Sequence, residues 1–304
     1  MPNGQCSPFD SGSIEGVIDV NVDVGPWRLW TGNPEIKSAV FVEGEVAKAY
    51  LMIETEFPER HSPTWRIWLN DFSLTKIFKP NLTVSAGNLE HALTIYDVTP
   101  VIKRGKNEVK VTYKGETPLT LNSVATILLY RAEKFRTEYS LEAGELVIEP
   151  KETRREQCEG TCRALVKSSV NSRVFLDYDG RRELMSPDSI YDVEFSKGLT
   201  ITNDSEKGYA KLVSVVRAKT FAPKLEVRVT RSGDKISVAY EGEVVLDRAI
   251  VNVLKNGVSV AYKTFQAVKP GDSLSIASNN LDQNASVRVV AIVAGYRKTF
   301  DFRV

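Results

Sequence analysis

The stretch Tyr96-Asp-Val-Thr-Pro-Val-Ile-Lys-Arg-Gly-Lys-Asn-Glu-Val-Lys-Val-Thr-Tyr113 decides the fold class. Pro100 bends the chain and Gly105 marks a turn. After it Val109, Val111 and Tyr113 alternate with Lys110 and Thr112. A period of two places one set of side chains in a core and the other in water, as a half-buried strand requires.

The same signal recurs from end to end. Ile18, Val20 and Val22 alternate with Asp19, Asn21 and Asp23, and residues 48–54, 64–69, 120–130, 174–178, 208–217, 250–255 and 286–293 read as further strands. Asp179-Gly180 and Asn256-Gly257 sit between such runs. Both dipeptides tolerate the positive φ angles of tight hairpins. No stretch holds a 3.6-residue period for more than a turn or two. The sequence therefore predicts an all-β protein of serial β-sandwich or jelly-roll domains. The expected layout is a flexible N-terminal tail over 1–13, a jelly-roll-like sandwich over 14–133, a second sandwich over 134–222 and an immunoglobulin-like sandwich over 223–304.

Charge narrows the function. Across 304 residues, 40 lysines and arginines face 39 aspartates and glutamates, for a net charge of +1. A nucleic-acid partner calls for a basic excess that is absent here. Apolar runs are strand-sized, so no membrane-spanning segment is expected. The opening Met1-Pro-Asn-Gly-Gln-Cys has neither the basic head nor the apolar stretch of a secretion signal. The expectation is an extracellular or cell-surface protein whose leader peptide is absent from this sequence, or a cytoplasmic one if the sequence is complete.

Three cysteines are present. Cys158 and Cys162 flank Glu159-Gly160-Thr161, a spacing that suits a small disulfide loop at a hairpin tip. A zinc site would need imidazole, and His61 and His91 are the only histidines. No metal site is assigned. Cys6 is left over in the expected tail.

The opening segment, Val46-Ala-Lys-Ala-Tyr-Leu-Met-Ile53, Trp65-Arg-Ile-Trp-Leu-Asn70, the Asp97-Val-Thr99 and Gly105-Lys-Asn107 motifs and Val124-Ala-Thr-Ile-Leu-Leu-Tyr130 together resemble a galactose-binding-like jelly roll. Such modules place glycine after Leu-Asn; here Asp71 follows Leu69-Asn70. Lys269-Pro-Gly-Asp-Ser273 resembles the Pro-Gly turn of immunoglobulin-like modules, and the layout is similar to archaeal-type cell-surface proteins. The resemblance covers about a third of the chain. It implies sugar binding, or a spacer or adhesive role, and leaves room for a structural calcium ion without assigning ligands to it.

Two tetrapeptides echo each other: Trp27-Arg28-Leu29-Trp30 and Trp65-Arg66-Ile67-Trp68. On strands, one tryptophan of each pair anchors the core while Trp30 and Trp68 share the outer face with Arg28 and Arg66. An indole beside a guanidinium can stack on a sugar ring, or simply cover the sheet. Asn81-Leu-Thr83, Asn203-Asp-Ser205 and Asn284-Ala-Ser286 fit the N-glycosylation pattern, making Asn81, Asn203 and Asn284 candidates. Asp177, Asp179 and Glu183 surround a turn and read as solvated residues rather than paired catalytic carboxylates. Phosphate loops, nucleophile elbows and zinc-protease motifs are missing from the sequence.

The expected function is a non-catalytic structural or adhesive surface protein. It would self-associate or join other surface proteins through β-strand contacts, as an envelope-layer or filament subunit, with residues 14–24 as a donor strand. The alternative is a carbohydrate-binding module array of a secreted glycan-acting protein.

Overall fold

The computed structural model describes residues 4–75, 81–277 and 285–304. Its elements are all strands. The first ten are β1 (Cys6–Ile14), β2 (Gly16–Leu29), β3 (Glu35–Val42), β4 (Val46–Pro58), β5 (Trp65–Leu69), β6 (Phe72–Thr75), β7 (Leu82–Ala86), β8 (Leu89–Asp97), β9 (Gly105–Tyr113) and β10 (Leu119–Arg131). Eight follow: β11 (Arg136–Ile148), β12 (Thr153–Gln157), β13 (Thr161–Ser168), β14 (Val174–Tyr178), β15 (Arg181–Leu184), β16 (Ile190–Phe195), β17 (Gly198–Asn203) and β18 (Ala210–Phe221). The last seven are β19 (Val227–Ser232), β20 (Lys235–Tyr240), β21 (Leu246–Lys255), β22 (Val258–Val268), β23 (Ser273–Ala277), β24 (Ala285–Val293) and β25 (Tyr296–Arg303).

They form six sheets, in the orders β1-β11-β18-β13-β16, β2-β10-β4-β8-β7, β3-β9-β5-β6, β12-β17-β14-β15, β22-β21-β24-β25 and β19-β20-β23. The all-β expectation holds. Two compact units result: Met1–Ser13, Val20–Leu129 and Thr137–Thr220 in one, and Ile14–Asp19, Tyr130–Arg136 and Phe221–Val304 in the other.

The deciding stretch folds as its residues dictate. Asp97 Oδ1 accepts from the Thr99 amide at 3.0 Å, and Thr99 Oγ1 accepts from the Ala49 amide at 2.9 Å, tying the turn to β4. Asn107 is fully buried and organises the Gly105 loop. Its Nδ2 donates to the Lys103 and Gly105 carbonyls at 2.6 and 3.1 Å, while its Oδ1 accepts from Asn70 at 2.8 Å and from the Lys103 amide at 2.9 Å. A buried amide must be satisfied in this way. In β9, Val109, Val111 and Tyr113 are buried and the residues between them are not. Both dipeptide hairpins have two positive φ angles, 46° and 77° at Asp179-Gly180, 51° and 79° at Asn256-Gly257, as the primed two-residue turns need.

The larger unit holds four sheets. The β3-β9-β5-β6 sheet buries one of its faces, with Val40, Ile67 and Val109 inside, and one face of β2-β10-β4-β8-β7 meets β1-β11-β18-β13-β16. That sheet in turn shares an apolar core with β12-β17-β14-β15, built from Leu146, Ala164, Val166, Leu176, Phe195 and Ile201 among others. At the middle of the stack Val22, Met52, Ala125 and Ile127 face Leu165, Ser214 and Val216 across a void of only about 10 Å³. This explains why β10 is buried almost throughout, against the alternation of a strand with one wet face.

Residues 1–13 were expected as a flexible tail, yet residues from Cys6 onward form β1, the edge strand beside β11. Asp10 Oδ2 pins β1 to β4, accepting from Lys48 Nζ at 2.9 Å, Tyr50 OH at 2.8 Å and Tyr139 OH at 3.2 Å. Burial opposes ionisation of Asp10, but these donors outweigh it and hold the carboxyl below its usual range. Gly144 supplies the space. A β-carbon there would lie 1.8 Å from the Gln5 carbonyl oxygen. Residues 14–24, expected as a donor strand, lie mostly in β2, which pairs with β10 of the same chain.

The smaller unit holds a two-sheet sandwich. Val251, Val253, Val287 and Val289 point inward from β21 and β24, and Ile236, Val238 and Tyr240 from β20. Tyr240 OH donates to the Val244 carbonyl at 2.8 Å, closing the β20 end.

Candidate functional site

The outer face of the β3-β9-β5-β6 sheet carries the chemistry of the second tetrapeptide. Its register is Glu35 beside Thr112 beside Arg66 in one cross-strand row, and Lys37 beside Lys110 beside Trp68 in the next. Residues directly opposite share a face. Trp65 and Ile67 point the other way and are buried, Arg66 is exposed and Trp68 half-buried, as the alternation predicts. An open groove of about 620 Å³ runs over this face, lined by Glu35, Thr64, Trp65, Arg66, Trp68, Lys110, Thr112 and Lys114. Lys110 Nζ sits 5.5 Å from the centre of the Trp68 ring, a cation–π distance. The groove thus offers an indole and several hydrogen-bond donors on a rigid sheet, a combination suited to a polyhydroxylated ligand.

The first tetrapeptide goes elsewhere. Trp30, 47% exposed, closes a small turn in which it and Asn33 exchange backbone hydrogen bonds of 3.1 and 3.0 Å. It is not among the groove's lining. The Arg28 side chain is exposed, and its carbonyl accepts from Asn33 Nδ2 at 2.9 Å. Leu29, not Trp27, is the fully buried anchor there. Structure thus joins Trp68 to Arg66 and leaves Trp30 and Arg28 apart from them.

Other candidates separate by burial. Asn81 is exposed, its Nδ2 donating to the Ile95 carbonyl at 3.1 Å. Asn203 is fully buried, and its Nδ2 donates to the Ile148 and Gly208 carbonyls at 3.0 and 3.4 Å. The folded chain has no room for a glycan on that nitrogen. Asn284 lies outside the described residues. Cys158 and Cys162 are disulfide-bonded with Cα atoms 5.9 Å apart, in the apolar core of the second sandwich. Asp179 accepts from the Ser196 and Lys197 amides, and the Ser196 amide and its other donors hold its carboxyl below the usual range against slight desolvation. It is a turn residue, as expected.

A set of ionisable groups that sequence reading missed lies between the two five-stranded sheets. Lys211 Nζ on β18 donates to Glu54 Oε1 on β4 at 2.8 Å, to Glu145 Oε2 on β11 at 2.6 Å and to His91 Nδ1 on β8 at 3.0 Å. Lys167 on β13 reaches Glu56 Oε2 at 3.2 Å, Asn122 Oδ1 at 3.1 Å and Asp188 Oδ1 at 3.3 Å. His91 Nε2 and Tyr209 OH are 2.9 Å apart. Because Lys211 donates to Nδ1, the imidazole is neutral with its proton on Nε2.

Burial, with Lys211 and Lys167 adding to it, pushes the His91 pKa down to about 2. Burial raises the Glu145 carboxyl to about 7, Lys211 opposing and Glu54 reinforcing it. Burial alone would depress the Lys211 ammonium, but Glu145 and Glu54 hold it above its ordinary value. Perturbed groups of this kind mark many active sites. Here Glu54, His91, Lys167 and Lys211 are at most 1% exposed and Glu145 2%, so no substrate reaches them. The layer is cement between sheets.

Among the described residues no group of three or more His, Cys, Asp or Glu side chains is placed to hold a metal ion. No helix among the described residues is long and apolar enough to cross a membrane.

No protein-family model matches the chain, and no curated protein matches it in sequence. Among solved structures it is similar to a β-glucuronidase from Ruminococcus gnavus, 12% identical, with 89% of this chain and 35% of that chain covered and a TM-score of 0.18. It is also similar to the protein YhaK from Escherichia coli, 12% identical over 70% of this chain and 92% of that chain, with a TM-score of 0.28. The chain spans about a third of the glucuronidase's length. Likenesses this distant carry no argument about activity.

Proposed function

We propose that this is a non-catalytic, extracellular or cell-surface β-sandwich protein that holds carbohydrate on the outer face of its first sandwich. The observation that carries the reading is Trp68, half-buried and flanked by Arg66 and Lys110 in an open groove on a rigid sheet. Sugar C–H faces stack on indole, and hydroxyls accept from cationic side chains. The Cys158–Cys162 disulfide supports an oxidising compartment. The test is a glycan array read with the intact protein and with Trp68→Ala. Binding that is abolished by the substitution is expected; an array without any signal refutes the reading.

A second reading, an assembling structural subunit, is favoured by one feature of the smaller unit. β22 is an edge strand of eleven residues on which Val258, Val260 and Tyr262 are 66%, 47% and 62% exposed. Long apolar edges template strand addition unless they are blunted. Light scattering of the protein and of Val260→Lys tests it: particles larger than a monomer that dissociate in the variant support assembly, and a monomer at all concentrations sinks it.

A further inference from the structure

We infer that the groove takes an acidic saccharide, one carrying carboxylate or sulfate groups, rather than a neutral one. The inference rests on the carbohydrate reading above and adds the ligand's charge. Arg66, Lys110 and Lys114 all line the groove, against Glu35 as its one acid. Glu35 is itself engaged, 3.8 Å from Lys37 Nζ. Among the described residues Arg66 and Lys114 form no ion pair, and Lys110 is held only over the Trp68 ring. Elsewhere the chain pairs its charges closely, as in Lys48 with Asp10 and Arg288 with Asp301 at 2.9 and 2.8 Å. With a net charge of only +1 for the whole protein, three cations around one indole form a local excess, not a reflection of composition.

The register sets the spacing. Arg66 and Trp68 are two residues apart on β5, about 7 Å along the strand. A pyranose stacked on the open face of Trp68 would therefore present its own substituents to Lys110 and those of the adjoining sugar to Arg66. A guanidinium binds carboxylate or sulfate through two parallel N–H donors, and an ammonium adds a point charge. A neutral sugar meets the same donors with weaker acceptors. Single-stranded nucleic acid is also anionic and stacks, but it is tracked by several aromatic platforms along a basic channel. The groove lining has Trp68 alone on its open face and ends within one sheet.

Titration calorimetry of the full chain would compare four probes of similar length: a galacturonate oligosaccharide, a sulfated galactose oligosaccharide, the neutral galactose oligosaccharide and a single-stranded oligonucleotide. The expected result is binding of an acidic sugar roughly tenfold tighter than the neutral one, the worth of one charge-assisted contact. Which acidic probe binds better identifies the anion. That preference should fade between about 0.1 M and about 1 M salt, as the screening length shrinks from about 10 Å to about 3 Å. It should also vanish in Arg66→Gln/Lys110→Gln, whose folding is checked by circular dichroism, while neutral-sugar binding stays. Equal affinity for neutral and acidic probes, or an acidic preference that survives the double substitution, overturns the inference and leaves the carbohydrate reading standing. Tighter binding of the oligonucleotide overturns it as well, and silence from every sugar overturns both.

Discussion

Lys211→Met would remove the cation that three partners from two sheets share. In the native protein the ammonium lies 2.8 Å from Glu54, 2.6 Å from Glu145 and 3.0 Å from His91, with Lys211 and Glu54 fully buried. Methionine fills a similar volume, so the loss is electrostatic. Two carboxylates would be left buried with no cation between them, a defect of about 3–5 kcal/mol. The neighbouring Glu145 Oε1 is already without a hydrogen-bond partner, so the site has no spare donors to offer. Against a total stability of about 5–15 kcal/mol, that is a large fraction. Tryptophan fluorescence is a clean probe, because Trp27, Trp30, Trp65 and Trp68 all lie in the larger unit. With a urea slope of about 2–3 kcal/mol/M, the midpoint should fall by about 1–2 M at an unchanged slope. Adding Glu54→Leu and Glu145→Leu to the variant should recover most of the loss, since an apolar replacement of a whole buried ionic set is often neutral. A drop below about 1 kcal/mol for Lys211→Met alone would show that water enters the layer, and the sealed-interface argument would fail.

The pH dependence follows from two opposed groups. Glu145, raised from 4.5 to about 7, stabilises fully below 4.5 and loses that contribution as pH rises through 7. His91, lowered from 6.5 to about 2, stabilises above 6.5 and loses that contribution as pH falls. Between pH 4.5 and 6.5 their slopes cancel, so Glu145→Gln should expose a loss of about 1.4 kcal/mol per pH unit on acidification that the native protein lacks; identical pH profiles in denaturant titrations would contradict this. Gly144→Ala should expel β1, because its new carbon would lie 1.8 Å from the Gln5 carbonyl and 2.8 Å from the Cys6 Cα. Cys6 reports the event: burial, with Glu142 and Glu156, pushes its thiol up to about 12, so a native thiol assay that is slow should become fast. Cys158→Ser/Cys162→Ser opens a loop with a sequence separation of 4 and should lower stability by about 2 kcal/mol, seen as a lower urea midpoint.

How far the sequence speaks depends on whether a strand's surroundings are local. β9 and the two dipeptide hairpins were legible because alternation and positive-φ residues report on a few neighbouring positions. β3 was not, because its core side holds Ser38 beside Val40 and Val42 while Phe41 faces out at 63% exposure, which blurs the period. β12 reads as a charged loop, yet Glu156 is buried between Arg154 at 2.7 Å and Arg217 at 2.5 Å. Glu54 and Lys211 look solvent-facing in one dimension for the same reason: each charge is matched by another, 157 residues away. At the groove, Arg66 and Trp68 follow from alternation within β5. Lys110 joins them only through sheet register, which no local pattern encodes, Lys114 reaches the groove from just past the end of β9, and Trp30 departs because its strand ends in a turn.

The placement of β1 has a consequence for synthesis. Its partner β11 begins at Arg136, so β1 leaves the ribosome well before the strand it pairs with. At about 5–20 residues per second that wait is on the order of ten seconds, during which β2 to β10 are complete and able to close their own two sheets. The first sandwich can therefore form early on the nascent chain, with β1 waiting as an unpaired strand. The second cannot be finished until the chain returns to β1. Masking β1 during translation would stall the later half of the stack, not the half it precedes.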